Sequence, residues 1–166
     1  METIDRLILT LLLASLSIIV IIFFSQRIRS VIFLLPAWFS PHTKLRVFFH
    51  WLRGVKIGKS VEIGYYVHLD NQMPNLITIH DNVTITNNCV LTAHDHSKFY
   101  SGRGSHYKVG KIVIEEYAFI GSSSIVLPGI KIGKNAIIGA GSVVTKDVNQ
   151  NTLVAGNPAR EIHVKN

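Results

Sequence analysis

From residue 55 onward, aliphatic residues recur at every sixth position. They stand at Ile57, Ile63 and Leu69, at Ile79, Ile85 and Leu91, and at Ile114, Ile120, Val126, Ile132, Ile138 and Val144. A strand buries every second residue and an α-helix every third or fourth, so a period of six needs short strands joined by turns of constant length. That is the signature of a stacked solenoid in which each hexad forms one side of a coil. Four positions after the aliphatic, most hexads carry a small or β-branched residue suited to a crowded interior corner: Val61, Val67, Val83, Cys89, Ala118, Ser124, Ile130, Ala136, Ser142 and Val148. Gly58, Gly64, Gly121, Gly133 and Gly139 directly follow the aliphatic, where a turn can use glycine's tolerance of positive φ. Asn82, Asn88, Asn135 and Gly141 stand at the next corner and also accept the left-handed conformation.

The repeat breaks twice, and loops held by a rigid scaffold are where binding and chemistry concentrate. The first break, between Leu69 and Ile79, adds four residues around Asn71, Gln72, Met73 and Pro74. The second, between Leu91 and Ile114, holds AHDHSKFYSGRGSHYKVG over 93–110, rich in His, Gly and basic residues, and is expected to leave the prism as an arm.

Ahead of the repeats the rhythm is different. Residues 7–24 (LILTLLLASLSIIVIIFF) are apolar apart from Thr10, Ser15 and Ser17. As a helix this stretch is about 27 Å long, near the roughly 30 Å of a bilayer core, and predicts a membrane anchor. A cleaved signal peptide competes, but Glu2 and Asp5 offset Arg6 and no small-x-small site follows Phe24; a buried or re-entrant helix is the other alternative. Arg27, Arg29, Lys44, Arg46, Arg53 and Lys56 follow the apolar stretch, which predicts that the body faces the cytoplasm. Residues 31–53 mix large apolars, two Trp and spaced bases. They read equally as an interfacial segment or as helix packed against the base of the prism.

Length and composition support one ordered domain: 166 residues, 48% hydrophobic and 16% charged, are too apolar for disorder. The net charge of +7 suits an anionic membrane surface or ligand; without a nucleic-acid-binding motif, a nucleic-acid partner is not expected. Cys89 is the only cysteine, so no intramolecular disulfide forms, and its interior-corner position predicts a buried thiol. The expected organisation is an anchor over 1–30, a connector over 31–54, a repeat domain over 55–152 with its arm, and a C-terminal segment over 153–166.

The stretch IGSSSIVLPGIKIGKNAIIGAGSVVTKDVNQNTLVAGNPAREI (Ile120 to Ile162) and the segment PNLITIHDNVTITNNCVLTAHDHS (Pro74 to Ser97) resemble the hexapeptide-repeat acyltransferases. The similarity is to the branch of maltose, galactoside and capsular sugar O-acetyltransferases. It covers roughly two thirds of the chain and is carried by the V-L-P-G, G-A-G-S-V-V-T-K-D-V and V-A-G-N-P-A-R elements. The resemblance implies a left-handed parallel β-helix, a homotrimer with active sites between neighbouring prisms, acetyl-CoA as donor and no metal.

The resemblance also places the site. His94 matches the catalytic histidine, and a histidine suits general-base work near neutral pH. Asp95 beside it, or the more distant Asp70, would orient its ring; His96 and His106 are weaker candidates for the base. Backbone amides at Ser122 and Ala140 match contacts to the thioester and pantetheine arm. Thr145 and Lys146 match residues at the lower part of the cofactor, and Arg160 matches a phosphate-binding arginine. Asp70, Asn71, Asn87 and Asn88 are candidates for the acceptor, although Asp and Asn in these places also simply form turns. The chain departs from the family pattern at His80, where Gly is usual, and at Ala93, where Thr is usual.

An anchored enzyme would meet lipid-linked acceptors, so the expected reaction is O-acetylation of a sugar hydroxyl in a membrane-linked glycan precursor at the cytoplasmic membrane. The alternatives are N-acetylation of an amino sugar, a zinc hydratase similar to the left-handed-helix carbonic anhydrases, and a non-catalytic trimeric scaffold. Fold resemblance fixes reaction type better than substrate.

Overall fold

A computed structural model describes residues 2–102 and 108–162. Four helices precede the repeats: α1 (Glu2–Phe24), α2 (Gln26–Ile32), α3 (Leu34–Phe39) and α4 (Thr43–Leu52). The repeats then form successive coils of three short strands. Coil one is β1 (Lys56–Ile57), β2 (Glu62–Ile63) and β3 (His68–Leu69); coil two is β4 (Ile77–Ile79), β5 (Thr84–Ile85) and β6 (Val90–Leu91). The arm carries β7 (His94–Asp95), a short helix α5 (Ser97–Tyr100) and β8 (Lys108–Val109). Coil three is β9 (Ile112–Ile114), β10 (Phe119–Ile120) and β11 (Ile125–Val126); coil four is β12 (Lys131–Ile132), β13 (Ile137–Ile138) and β14 (Val143–Val144). The last strands among the described residues are β15 (Leu153–Ala155) and β16 (Arg160–Glu161).

Strands from successive coils pair in parallel to build three faces: β1-β4-β9-β12, β2-β5-β10-β13-β15, and β3-β6-β11-β14. In-register partners are one coil apart, as in Ile63 with Ile85 and Leu69 with Leu91. Every aliphatic of the six-residue frame from Ile63 to Val144 is buried, Ile57 packs against the same cluster, and all ten interior-corner residues including Cys89 are buried. Truncating one of these Ile or Leu residues to Ala is expected to cost about 2–5 kcal/mol.

The corner glycines have a different reason from the one expected. Gly64 and Gly121 do not have positive φ; a Cβ there would lie 2.7 Å from Asn87 N and 2.6 Å from Ala140 N on the next coil. Close stacking, not left-handed backbone, excludes a side chain. The left-handed conformation falls where Asn was expected to take it, at Asn82, Asn88 and Asn135 (φ 59°, 61° and 56°), and also at Tyr66, Tyr117 and Ser123.

A solenoid ends in an open edge whose backbone groups have no coil to pair with, and buried ones need other partners. At the base of the prism α3 and α4 supply them. Thr43 Oγ1 accepts from Ile63 N at 3.1 Å, and Arg46 Nε donates to Ile63 O at 2.8 Å. The Arg46 guanidinium also lies over the Tyr65 ring, 4.1 Å from its centroid. Helix α4 therefore turns Arg46 and His50 inward, while Leu45, Phe48 and Trp51 remain exposed. Of the two readings of residues 31–53, packing against the prism is what the buried side of α4 does.

Helix α1 exposes Leu11, Leu13, Leu16, Ile18 and Val20 on several sides. The expected membrane span is not supported: among the described residues, no helix is long and apolar enough to cross a membrane. The side chains of residues 21–24, the end of the apolar run, lie outside the described set.

His50 is fully buried, and burial followed by the neighbouring Arg53 cation pushes its pKa well below 6.5; burial and Arg53 also lower that of half-buried His68. Both rings resist protonation in the fold but accept a proton once unfolded. Their contribution to stability is therefore full above about pH 6.5 and is lost as the pH falls towards the lowered folded values. The thermal unfolding midpoint is expected to drop between pH 7.5 and 5.5, with a shallower drop in His50→Gln, measured by circular dichroism at matched ionic strength.

Candidate active site

Both breaks in the repeat fall on the same edge of the prism, the corner joining the third face to the first. The first break places Asp70 directly after β3, and the second places His94 three residues after β6, one coil above. His94 Nδ1 lies 2.6 Å from Asp70 Oδ2. Asp70 is 1% exposed and holds three more donors: Ala93 N on Oδ2 at 2.7 Å, and Gln72 N and Met73 N on Oδ1, each at 2.9 Å. Burial alone would raise the Asp70 pKa. The Met73, Ala93, His94 and Gln72 donors outweigh it and hold the carboxyl below its ordinary value. An ionised carboxylate only accepts, so Nδ1 of His94 carries the proton and Nε2 is left with the lone pair of a base.

The root of the arm holds the backbone on which His94 stands. β7 pairs antiparallel with β8, Gly110 N donates to Ala93 O at 3.0 Å, and Thr92 Oγ1 donates to His94 O at 2.8 Å. The His94 side chain is 19% exposed, held by its partners but still reachable from solvent. Ala93 is completely buried, so its small side chain belongs to the core while its amide serves Asp70.

The carboxylate paired with His94 is thus Asp70, not its neighbour in sequence. Asp95 accepts from Ser97 N and Ser97 Oγ at 2.8 and 3.0 Å, and these bonds lower its pKa; it is exposed and opens α5. Nor does Asp70 offer a surface to an acceptor, since both its oxygens are taken inside the protein. The His96 ring lies 4.9 Å from that of His94 and 6.1 Å from that of Tyr100. His106 lies outside the described residues. His80 sits on another corner, 3.7 Å from Glu116, so this departure from the family pattern leaves the His94 corner unchanged.

The expected cofactor contacts divide between two corners. Thr145 and Lys146 are exposed on the His94 edge, higher up the stack, and Lys146 and Arg160 line one cavity of about 160 Å³ with Asp147 and Thr152. Ser122 and Ala140 lie on the corner between the second and third faces, together with exposed Asn88. Among the described residues neither the Ser122 nor the Ala140 amide has a hydrogen-bond acceptor, whereas Gly141 N between coils is paired with Ser122 O at 2.8 Å. Asn87 is used in a turn, accepting from Tyr65 N at 2.8 Å. Among the described residues no group of three or more His, Cys, Asp or Glu could hold a metal ion.

Residues 111–146 match the family model "Bacterial transferase hexapeptide (six repeats)". The acetyltransferase-family protein YvoF of Bacillus subtilis (strain 168) is 31% identical over 144 residues, 86% of this chain and 80% of that protein. The chain belongs to the hexapeptide-repeat acetyltransferases. Galactoside O-acetyltransferase of Escherichia coli (strain K12) is 34% identical over 76% of this chain, which spans only 60% of that enzyme. Two solved structures share the fold. A maltose O-acetyltransferase from Clostridium difficile 630 has a TM-score of 0.61, 26% identity and 81% coverage of each chain. A galactoside acetyltransferase in complex with coenzyme A has a TM-score of 0.62 and 25% identity, with 83% of this chain and 80% of that one covered.

Arg53 and His68 flank Asp70 and were not singled out from the sequence of this acetyltransferase. Arg53 reaches it from the end of α4, outside the repeats, and so leaves no spacing signal, whereas His68 lies in β3 just ahead of Asp70. Replacing Asp70 with Asn would put an amide where His94 needs an acceptor and is expected to lower kcat about 100-fold or more. Asp95→Asn is expected to stay within about threefold, because it loosens only a turn. Steady-state kinetics on the two variants separate the roles.

Proposed function

We propose that this chain transfers the acetyl group of acetyl-CoA to a sugar hydroxyl, with His94 as general base. The carrying observation is the 2.6 Å contact from His94 Nδ1 to the buried Asp70 carboxylate, which sets the tautomer and leaves Nε2 to accept a proton. Nε2 takes the proton of the acceptor hydroxyl as that oxygen bonds to the thioester carbonyl carbon. When the carbon–sulfur bond breaks, His94 returns the proton to the departing thiolate, giving the acetyl ester and free thiol. Asp70 stays ionised and favours the transient imidazolium.

The amides of Ser122 and Ala140, without an acceptor among the described residues, suit an oxyanion or a pantetheine carbonyl, and the basic pair at Lys146 and Arg160 suits nucleotide phosphates. Because Ser122 and Ala140 stand on a different corner from His94, one prism does not assemble all these groups. A cleft between copies in a homotrimer of left-handed prisms would unite them. The apolar side chains that α1 leaves exposed, and the bases that follow it, favour attachment to the cytoplasmic face of a membrane and a lipid-linked saccharide as acceptor.

The test is thiol release from acetyl-CoA by purified protein against free sugars, amino sugars and lipid-linked saccharides. Acceptor-dependent release should fall by about 10²–10⁴ in His94→Ala with the oligomer intact. Undiminished turnover in that variant would reject the base, and transfer only to amino groups would replace O- with N-acetylation. Lys146→Ala with Arg160→Ala is expected to raise the KM for acetyl-CoA about tenfold while kcat stays within about twofold, as loss of charge-assisted phosphate contacts requires.

A further inference from the structure

The fully buried Arg53 follows α4 at its C-terminus and has a distinctive set of partners. Its Nη2 donates to Leu69 O at 2.9 Å, Asp70 O at 3.1 Å and Asn71 Oδ1 at 2.9 Å, so one nitrogen spans three consecutive residues centred on Asp70. Nε donates to Ser30 O at 3.1 Å in α2, and Nη1 to His50 Nδ1 at 2.9 Å in α4. The Ser30 hydroxyl completes the clamp by donating to Asn71 O at 2.6 Å. The guanidinium is thus anchored on two helices and grips the backbone that carries the partner of His94.

We propose that Arg53 is a positioning residue for acyl transfer: it fixes the 69–71 backbone from below, so that the Asp70 carboxylate meets His94 Nδ1. The proposal rests on the reading of His94 as the base. The four donors on the Asp70 carboxylate come from the loop and the coil above, and they orient the group only if its own backbone stays in place. Arg53 supplies that restraint. A planar fork with five donors can serve helix and strand acceptors together, which an ammonium cannot. His50 must be neutral for Nδ1 to accept from Arg53, and its burial keeps it so. Burial lowers the Arg53 pKa to about 10, while the Asp70 charge raises it, so the guanidinium and carboxylate interact as well as share a backbone.

The base of the prism contains its own control. Arg46 caps the same open edge through Ile63 O, donates also to Ser40 O at the end of α3, is 6% exposed, and makes none of these contacts to residues 69–71. A purely structural role predicts equal consequences for Arg46→Lys and Arg53→Lys. A positioning role predicts that both lower the unfolding midpoint, but only Arg53→Lys changes the chemistry. For Arg53→Lys, kcat per folded site is expected to fall about tenfold or more, with the KM for acetyl-CoA within twofold. In Arg46→Lys, kcat per folded site should stay within twofold.

The spectroscopic readout is the downfield proton resonance of His94 Nδ1–H, assigned by its loss in Asp70→Asn. It should broaden or shift in Arg53→Lys and not in Arg46→Lys. If Arg53→Lys yields no folded protein, Asn71→Ala and Ser30→Ala each remove one arm of the clamp and should show the same split at about two- to threefold. An unchanged resonance and unchanged kcat per folded site in the folded clamp variants overturn the proposal. Failure of the wild type to acetylate any acceptor would overturn the functional reading instead, and the resonance would still report whether Arg53 holds the pair.

Discussion

The open lower edge of the first coil is the constraint on which the rest of this structure depends. Between coils, backbone groups pair in register, and the stack needs only small corners and an aliphatic every sixth residue. At the base there is no coil to pair with, and the exposed backbone of β2 and β3 would be costly if buried unsatisfied. Thr43, Arg46 and Arg53 meet those groups from the helical segment. This explains why a helix with apolar residues to spare turns its arginines inward and leaves Phe48 and Trp51 outside.

That requirement lies next to the Asp70–His94 pair. The repeat is interrupted on one edge in two successive coils, which frees Asp70 in the lower and His94 in the upper, and stacking alone brings them together. Buried charge is costly unless it is paired and hydrogen-bonded. Asp70 satisfies that rule with four donors, and Arg53 with acceptors from three segments of chain. The edge cap and the carboxylate of the dyad therefore share one backbone segment, 69–71.

The division of groups between corners bears on assembly. Asp70, His94, Thr145 and Lys146 follow one edge, while Ser122 and Ala140 follow the next. In a prism whose interior is filled by Ile, Leu and Val side chains, a ligand cannot pass between corners through the core. If these groups serve one cofactor, as proposed, the second surface would come from a neighbouring copy.

By itself, the six-residue rhythm determined the stacked coils, the buried aliphatics and corners, and the two interruptions, because each depends on residues a fixed distance apart; that three faces close each coil came with the structure. Through the repeated Asn it also located the left-handed corners, whereas His94 was singled out by the family resemblance of the stretch around it. The role of the glycines was not readable, since a steric limit set by the next coil looks the same in sequence as a need for positive φ. The choice of Asp70 over Asp95 was decided only by tertiary structure: stacking brings residues 24 positions apart to 2.6 Å, while local turn geometry turns the neighbour towards Ser97. Arg53 and His50 were equally hidden, because they lie outside the repeats. Their roles arise where a helix packs on an open edge, a contact with no fixed spacing in the chain.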